Sequence, residues 1–250
     1  MPFKSLIKWL LATQGYQLRG LQQNTAKTVG ARIYTTILPG ATYAPWLSDT
    51  EFLLWYGKIA ANTLVDQYRC FELWELLGQL RDTPGDIIEV GVWRGGTGAL
   101  IAHRAQALRG HRKTYLCDTF SGVVKATDHD TTYRGGEHAD TSEDQVREFL
   151  SRLEIDNAVI LAGIFPDVHR QAVSDKTFCF VHIDVDVYQS AKEVFEFVWP
   201  RLSVGGVIVF DDYGFESCDG IPKLLEEYRF QPGKLVIHNL NGHALIVRTA

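Results

Sequence analysis

Two pairs of acids close two apolar runs. Asp184 and Asp186 sit in "HIDVDVY" (182–188), after Phe178-Cys179-Phe180-Val181, and Asp211-Asp212 follow "VIVF". If those runs are neighbouring strands, three or four carboxylates converge at one end of a sheet. Two unit charges 4 Å apart repel by about 4 kcal/mol at an effective dielectric near 20. Such a cluster must protonate, splay or take up a cation. Oxygen donors alone suit Mg²⁺, with Mn²⁺ or Ca²⁺ as substitutes. Asp184, Asp211 and Asp212 are the expected ligands. A cation gripping two adjacent oxygens of an alcohol would lower the pKa of one of them. A nearby carboxylate could then take the proton, and Asp184 is the expected base. Asp186 suits a fourth ligand, a helix cap or a support to the ligands. His182 reads as a packed or hydrogen-bonded core histidine.

A second group is the turn "EVGVWRGGTG", Glu89 to Gly98. A dinucleotide fingerprint would read G-x-G-x-x-G. Here Trp93 stands where backbone would have to approach a pyrophosphate, which argues against a diphosphate ligand. S-adenosylmethionine carries no phosphate. Its amino-acid tail suits the backbone N–H groups between Gly91 and Gly96, with Arg94 facing the carboxylate. Asp118 lies 27 residues beyond Gly91 (118 − 91) at the end of the next apolar run, suited to accept hydrogen bonds from both ribose hydroxyls.

These residues need elements to hold them. From residue 86 on, short apolar runs alternate with helix-length segments. The runs are "DIIEVGV" (86–92), "TYLCDTF" (114–120), "AVILAGI" (158–164), "FCFVHIDV" (178–185) and "GVIVFDD" (206–212). Between them stand "TGALIAHRAQALRG", "SEDQVREFLSRLEI", a short "FPDVHRQAV" and "YQSAKEVFEFVWPRL". That alternation predicts a parallel sheet with helices on both faces. The last two runs, "KLVIHNL" and "HALIVRT", are joined through Asn241-Gly242, the strongest short hairpin signal. A hairpin cannot join parallel strands, so one of the two must run against the rest. A seven-stranded, mostly parallel sheet ending in an antiparallel hairpin is the layout of class I methyltransferases, a Rossmann-like α/β fold.

The first 84 residues read as helices and loops ahead of an α/β domain at 85–250. "SDTEFLLWYGKIAANTL" opens on Ser48 as cap with Glu51 three residues on, and "DQYRCFELWELLGQL" stops at Thr83-Pro84-Gly85. The N-terminal "MPFKSLIKWLLATQGYQLRG" has helix-spaced apolar positions. It reads as an amphipathic helix docked on the body or on a partner subunit, with a membrane-surface helix as the lesser reading.

The bulk numbers fit this reading. Of 250 residues, 46% are hydrophobic and 22% charged, ordinary for a globular enzyme. The net charge of −5 gives no reason to expect nucleic-acid binding. Cys70, Cys117, Cys179 and Cys218 show no C-x-x-C spacing and read as reduced, packed thiols of a cytoplasmic protein. No apolar stretch approaches the roughly 20 residues of a membrane span.

The segments "IIEVGVWRGGTG", "CDTFSGV", "FVHIDVDVYQSA" and "WPRLSVGGVIVFDDYGF" resemble, in order and spacing, the macrocin O-methyltransferase family, from about residue 63 to the C-terminus. Members of that family methylate sugar hydroxyls on secondary metabolites. The resemblance implies a magnesium- and S-adenosylmethionine-dependent O-methyltransferase. Glu89, Gly91, Val92, Trp93, Arg94, Gly95 and Asp118 would hold the cofactor, with Ser142, Gly163 and Ile164 at its adenine end. Asp184, Asp211 and Asp212 would hold the metal, and Asp184 would double as base. It further implies a glycosidic small-molecule acceptor, a homodimer or larger homo-oligomer, residues 1–84 as a helical lid or oligomerisation segment ahead of a methyltransferase domain at 85–250, and no stable membrane association. The first 60 residues and the loop "KATDHDTTYRGGEHADT" depart from better-known members, which leaves the acceptor open. His138 and Arg134 of that loop are within the choice of substrate contacts or solvated side chains. Two other readings compete. A metal-dependent glycosyltransferase would use Asp184-Val185-Asp186, but does not account for the glycine turn or the hairpin. A non-catalytic scaffold would tolerate the loss of acids that are all present.

Overall fold

The computed structural model describes residues 26–37, 40–108 and 111–250. The expected N-terminal amphipathic helix lies outside them. Residues 26–36 belong to one compact unit and 37–250 to another. In the first, β1 (Lys27–Val29) and β2 (Arg32–Tyr34) form an antiparallel pair. The rest of the fold is the second unit.

Its sheet has seven strands: β3 (Asp86–Val90), β4 (Thr114–Asp118), β5 (Ala158–Ala162), β6 (Phe178–Ile183), β7 (Leu202–Phe210), β8 (Lys234–His238) and β9 (Ala244–Arg248). They lie in the order β5-β4-β3-β6-β7-β9-β8. The first five are parallel, and β9 slots antiparallel between β7 and β8, so it is the last strand that runs against the rest. The five-residue Asn239–His243 link is far too short for a parallel crossover, so the two strands must be antiparallel to each other.

Helices cover both faces. On one lie α1 (Thr50–Ile59), α2 (Gln67–Gln79), α3 (Gly96–Gln106) and α4 (Glu143–Arg152). On the other lie α5 (Tyr188–Val198) and α6 (Gly220–Tyr228). The strands serve both faces by alternation: Ile87 joins the core under α2 and α3, whereas Ile88 and Val90 join that under α5 and α6. All four cysteines are buried and unpaired.

Four details depart from expectation. The helices before residue 84 do not form a separate segment: α1 and α2 sit in the same compact unit as the sheet, and Phe52, Trp55, Phe71 and Trp74 share a core with Leu100 and Leu116. The cap of α1 is Asp49, whose carboxylate accepts from the Phe52 amide at 2.9 Å and the Trp74 indole at 3.0 Å. Ser48 instead donates to the carbonyl of Pro45. The segment "FPDVHRQAV" makes only a short 3₁₀ turn at Arg170–Val173. Finally, α6 has the strong amphipathic pattern of "GIPKLLEEY" and was not among the expected helices.

Candidate active site

Ligand sites in parallel α/β sheets lie beyond the carboxyl ends of the strands. A cleft opens there, lined by residues at and following the ends of β3, β4, β5, β6 and β7. Its two halves differ in chemistry.

One half is built on β3, β4 and β5. Gly91, Val92 and Trp93 line it, together with Asp118, Thr119, Gly163 and Ile164. Asp118 accepts from the amides of Val92 (2.7 Å) and Trp93 (2.8 Å) on one oxygen and from the Phe120 amide (2.7 Å) on the other. The acid thus ties the glycine turn to the end of β4, and both its oxygens are engaged before any ribose arrives. Trp93 holds a left-handed backbone, φ 48°, a conformation costing a non-glycine residue about 1–2 kcal/mol. The amide bonds to Asp118 keep it there.

Four residues expected at the cofactor do not line the cleft. Arg94 turns outward: its guanidinium pairs with Asp140 at 2.5 Å and lies 4.4 Å over the Trp93 ring. A surface acid three residues before α4 has captured it. Ser142 caps α4, accepting from the Gln145 amide at 3.2 Å. Gly95 caps α3 in the left-handed conformation and packs against Val146. Glu89 is fully buried beneath the turn, accepts from His182 Nδ1 at 2.9 Å, and packs on Gly98. Each supports the site's shape from outside it.

The other half is built on β6 and β7. Their register pairs Ile183 with Phe210, which brings Asp184 beside Asp211 one step on. Asp184, Asp211 and Asp212 each offer an oxygen within 4.8 Å of the other two. Burial raises the carboxyl of Asp184 well above the ordinary range, and Asp211, Asp212 and Asp186 raise it further. Asp212 is raised in the same way, by burial and then by Asp186 and Asp211. Asp211 behaves oppositely: burial works against its charge, but His182, His243 and Arg69 hold it below the ordinary range. Three convergent oxygen donors, two of them carrying unrelieved repulsion, fit a hard divalent cation. The donor set would not select zinc.

Asp186 does not cap α5. Its backbone is left-handed, φ 66°, and its amide donates to Asp212 at 2.8 Å. The start of α5 is capped from a distance: Asp130 accepts from the Tyr188 amide at 2.9 Å. Asp186 lines the cleft outside the three-acid group, within reach of the Cys218 thiol at 3.6 Å.

His182 is the buried core histidine expected, bridging Glu89 and Asp211 with its second nitrogen 3.6 Å from the Asp211 carboxylate, an ion-pair separation. Burial opposes its charge, yet Asp211 and Glu89 raise it to about 9. His138 lines the cleft and meets the Tyr133 hydroxyl at 3.2 Å. Arg134 folds back onto the carbonyls of Asp130, Thr131 and Tyr133.

Sequence reasoning missed Arg69, His243 and Glu72. Arg69, on the first turn of α2, is buried and pairs with Asp211 and Asp66. One signal was available: Arg69 falls on the stripe that carries Cys70, Leu73, Trp74 and Leu77, and a charge inside an apolar stripe needs a buried partner.

Comparison with known proteins shows the family. The family model for macrocin O-methyltransferase (TylF) matches residues 58–235. A mycinamicin III 3''-O-methyltransferase from Micromonospora griseorubida is 31% identical over 191 residues, 69% of this chain and 72% of that protein. A tetracenomycin-C rhamnosyl 4'-O-methyltransferase from Streptomyces olivaceus is 34% identical over 148 residues, so the match spans 54% of this chain and only about half, 55%, of that relative. Among solved structures, the O-methyltransferase NovP superposes with a TM-score of 0.64 at 24% identity, covering 76% of this chain and 83% of its own. The calicheamicin methyltransferase CalS11 gives 0.64 at 18%, covering 83% and 94%. At those identities the structures speak for the fold alone.

Proposed function

The chain belongs to the macrocin O-methyltransferase family, and from that premise we propose that it moves a methyl group from S-adenosylmethionine to a hydroxyl of a glycosidic small molecule, with Mg²⁺ at Asp184, Asp211 and Asp212. The observation that carries the reading is the two-part cleft, a phosphate-free nucleoside cradle beside three converging carboxylates. The curated relatives, whose names specify sugar hydroxyls, support the acceptor class.

When bound, the cofactor supplies an electrophilic methyl and the cation favours the ionised form of an acceptor hydroxyl. The chain's own residues do the rest. The Gly91–Trp93 turn and Gly163–Ile164 orient the cofactor half. Asp184, Asp211 and Asp212 would hold the cation, which would supply the acidity of the acceptor hydroxyl beside them. Alignment at short range contributes a large part of such a rate gain. Leu64, Val65 and Phe215 add apolar side chains to the lining of the cleft.

The proton goes to a carboxylate. Asp184 is one reading. A second is Asp186, which lines the same cleft and belongs with Asp212 and Cys218 to a neighbouring group rather than to the Asp184–Asp211–Asp212 set, so it can take the proton when Asp184 is spent on the cation. The test is methyl transfer from labelled S-adenosylmethionine into a library of glycosylated metabolites, with product mass spectrometry, in Mg²⁺ and in excess EDTA. Transfer is expected with Mg²⁺ and abolished reversibly by EDTA. Full turnover in EDTA would remove the metal from the reading, and no transfer to any hydroxyl acceptor would remove the activity.

A further inference from the structure

His243 and Glu72 belong to neither half of the cleft, yet they end on its metal side. The antiparallel ladder between β7 and β9 closes at the pair Phe210–Ala244, so the next residues outward, Asp211 and His243, face each other. His243 is fully buried. Its Nε2 lies 2.8 Å from Asp211 Oδ1 and its Nδ1 2.5 Å from Glu72 Oε2. Glu72, on α2, is in turn held by the side-chain amides of Asn239 and of Asn241, the latter at 2.9 Å. Those two asparagines form the hairpin turn. The turn is also locked to the acid loop: the Gly214 amide donates to the Gly242 carbonyl at 2.8 Å, and a β-carbon on Gly214 would lie 2.6 Å from Gly242 Cα.

A carboxylate–imidazole–carboxylate line therefore runs from the outer helix layer to Asp211. His243 and Glu72 do not line the cleft, so they act on its contents only through Asp211. The other oxygen of Asp211 is held by Arg69. Between them the two contacts leave the carboxylate one orientation.

We propose that the Glu72–His243 pair is a positioning element that aims Asp211 at the cation, so that the hairpin turn of a sheet edge sets the affinity of the metal site. The inference rests on the metal reading above. Outer partners of metal ligands fix ligand direction and typically change metal affinity by about 10–100-fold when removed. The sequence conceals this because Asn241-Gly242 satisfies a hairpin rule and gives no cue that Asn241 also holds an acid 169 residues away.

The experiment is titration of the purified full chain with Mn²⁺, followed by electron paramagnetic resonance, for the wild type, Glu72→Gln and His243→Gln. Glu72→Gln keeps the shape of a side chain that retains some solvent contact, and so preserves folding if His243→Gln does not. Both variants are expected to bind Mn²⁺ about 10–100-fold more weakly than the wild type, with their affinity for S-adenosylhomocysteine in EDTA unchanged. The concentration of Mg²⁺ needed for half-maximal activity should rise by the same factor, as loss of packing alone would not require. A folded Glu72→Gln that binds Mn²⁺ within twofold of wild type overturns the inference alone. A wild type that binds no Mn²⁺ overturns the metal reading, and the inference with it.

Discussion

A β-carbon on Gly91 would lie 1.6 Å from the carbonyl oxygen of Asp184. The glycine turn after β3 and the end of β6 therefore touch at a point where only a hydrogen atom fits. Gly91 also holds φ 93°, outside the range of residues with side chains. Gly91→Ala must separate the turn from β6, since the obstacle is backbone. We expect a loss above about 4 kcal/mol, the size reserved for single changes with a definite steric cause. If any folded protein survives, both S-adenosylhomocysteine and Mn²⁺ binding should be lost together. Calorimetric titration of a folded variant that kept either ligand at wild-type affinity would contradict the contact.

Arg94→Ala gives the opposite expectation. The guanidinium is on the surface with Asp140, so the variant should bind S-adenosylhomocysteine within about threefold of wild type, as exposed ion pairs contribute little. A tenfold loss by titration would restore the direct contact with the cofactor that the sequence alone implied.

Asp118→Ala leaves the Val92, Trp93 and Phe120 amides without their acceptor. Each unpaired buried donor costs about 1–3 kcal/mol. These donors are part-buried, so the low end applies, about 3 kcal/mol for the three, and a fall in Tm of roughly 6–12 °C is expected for a chain of this size, together with weaker cofactor binding. A Tm within 1–2 °C of wild type would show that the turn does not depend on this acid.

The two readings of the base separate by paired substitution. Asp184→Asn should weaken Mn²⁺ binding and abolish transfer. Asp186→Asn should weaken Mn²⁺ binding less than Asp184→Asn does, because Asp186 is not one of the three acids and shares only Asp212 with them. If Asp186 is the base, its kcat falls by about 10²–10⁴ while metal affinity falls less. If its kcat is retained, Asp184 keeps both roles.

A pH dependence follows from Asp219. It is buried at the head of α6 and accepts from the Thr131 amide (2.8 Å), the Thr131 hydroxyl (3.0 Å) and Lys223 (2.8 Å). Burial opposes its charge, but Lys223 and Thr131 outweigh it and lower the carboxyl below its ordinary value. A depressed folded pKa contributes stability above the unfolded value, about 3.9, and that stability is lost as pH falls through the folded one. Urea denaturation from pH 6 down to pH 3 should show a steeper loss in wild type than in Asp219→Asn. Because Thr131 anchors the loop carrying Tyr133 and His138, loosening should appear first in that loop by hydrogen exchange. Parallel slopes for the two proteins would refute the assignment.

Much of the site was legible in the sequence because its signals are local. A strand announces itself by apolar residues within five or six positions, and an acid just past its end is placed at the open edge of the sheet whatever the rest of the chain does. Asp184, Asp211, Asp212, Gly91 and the Asn241-Gly242 hairpin were readable on that basis. Arg94 and Ser142 were misplaced because a position in a motif says where the backbone goes, and not which neighbour captures the side chain. Asp140 is close enough in space to take Arg94, and the start of α4 needs the Ser142 hydroxyl.

The amino-acid sequence by itself determined the alternation of strands and helices, the antiparallel ending and the acids that face the cleft. Only the tertiary structure decided how those acids are charged. Arg69 reaches Asp211 across 142 residues and His243 reaches it across 32, and Glu89 meets His182 across 93. A buried charge must find its counter-charge among whatever the strand order brings alongside. That order, with β9 inserted between β7 and β8, is settled by packing both faces of one sheet at once, which no short stretch of sequence encodes.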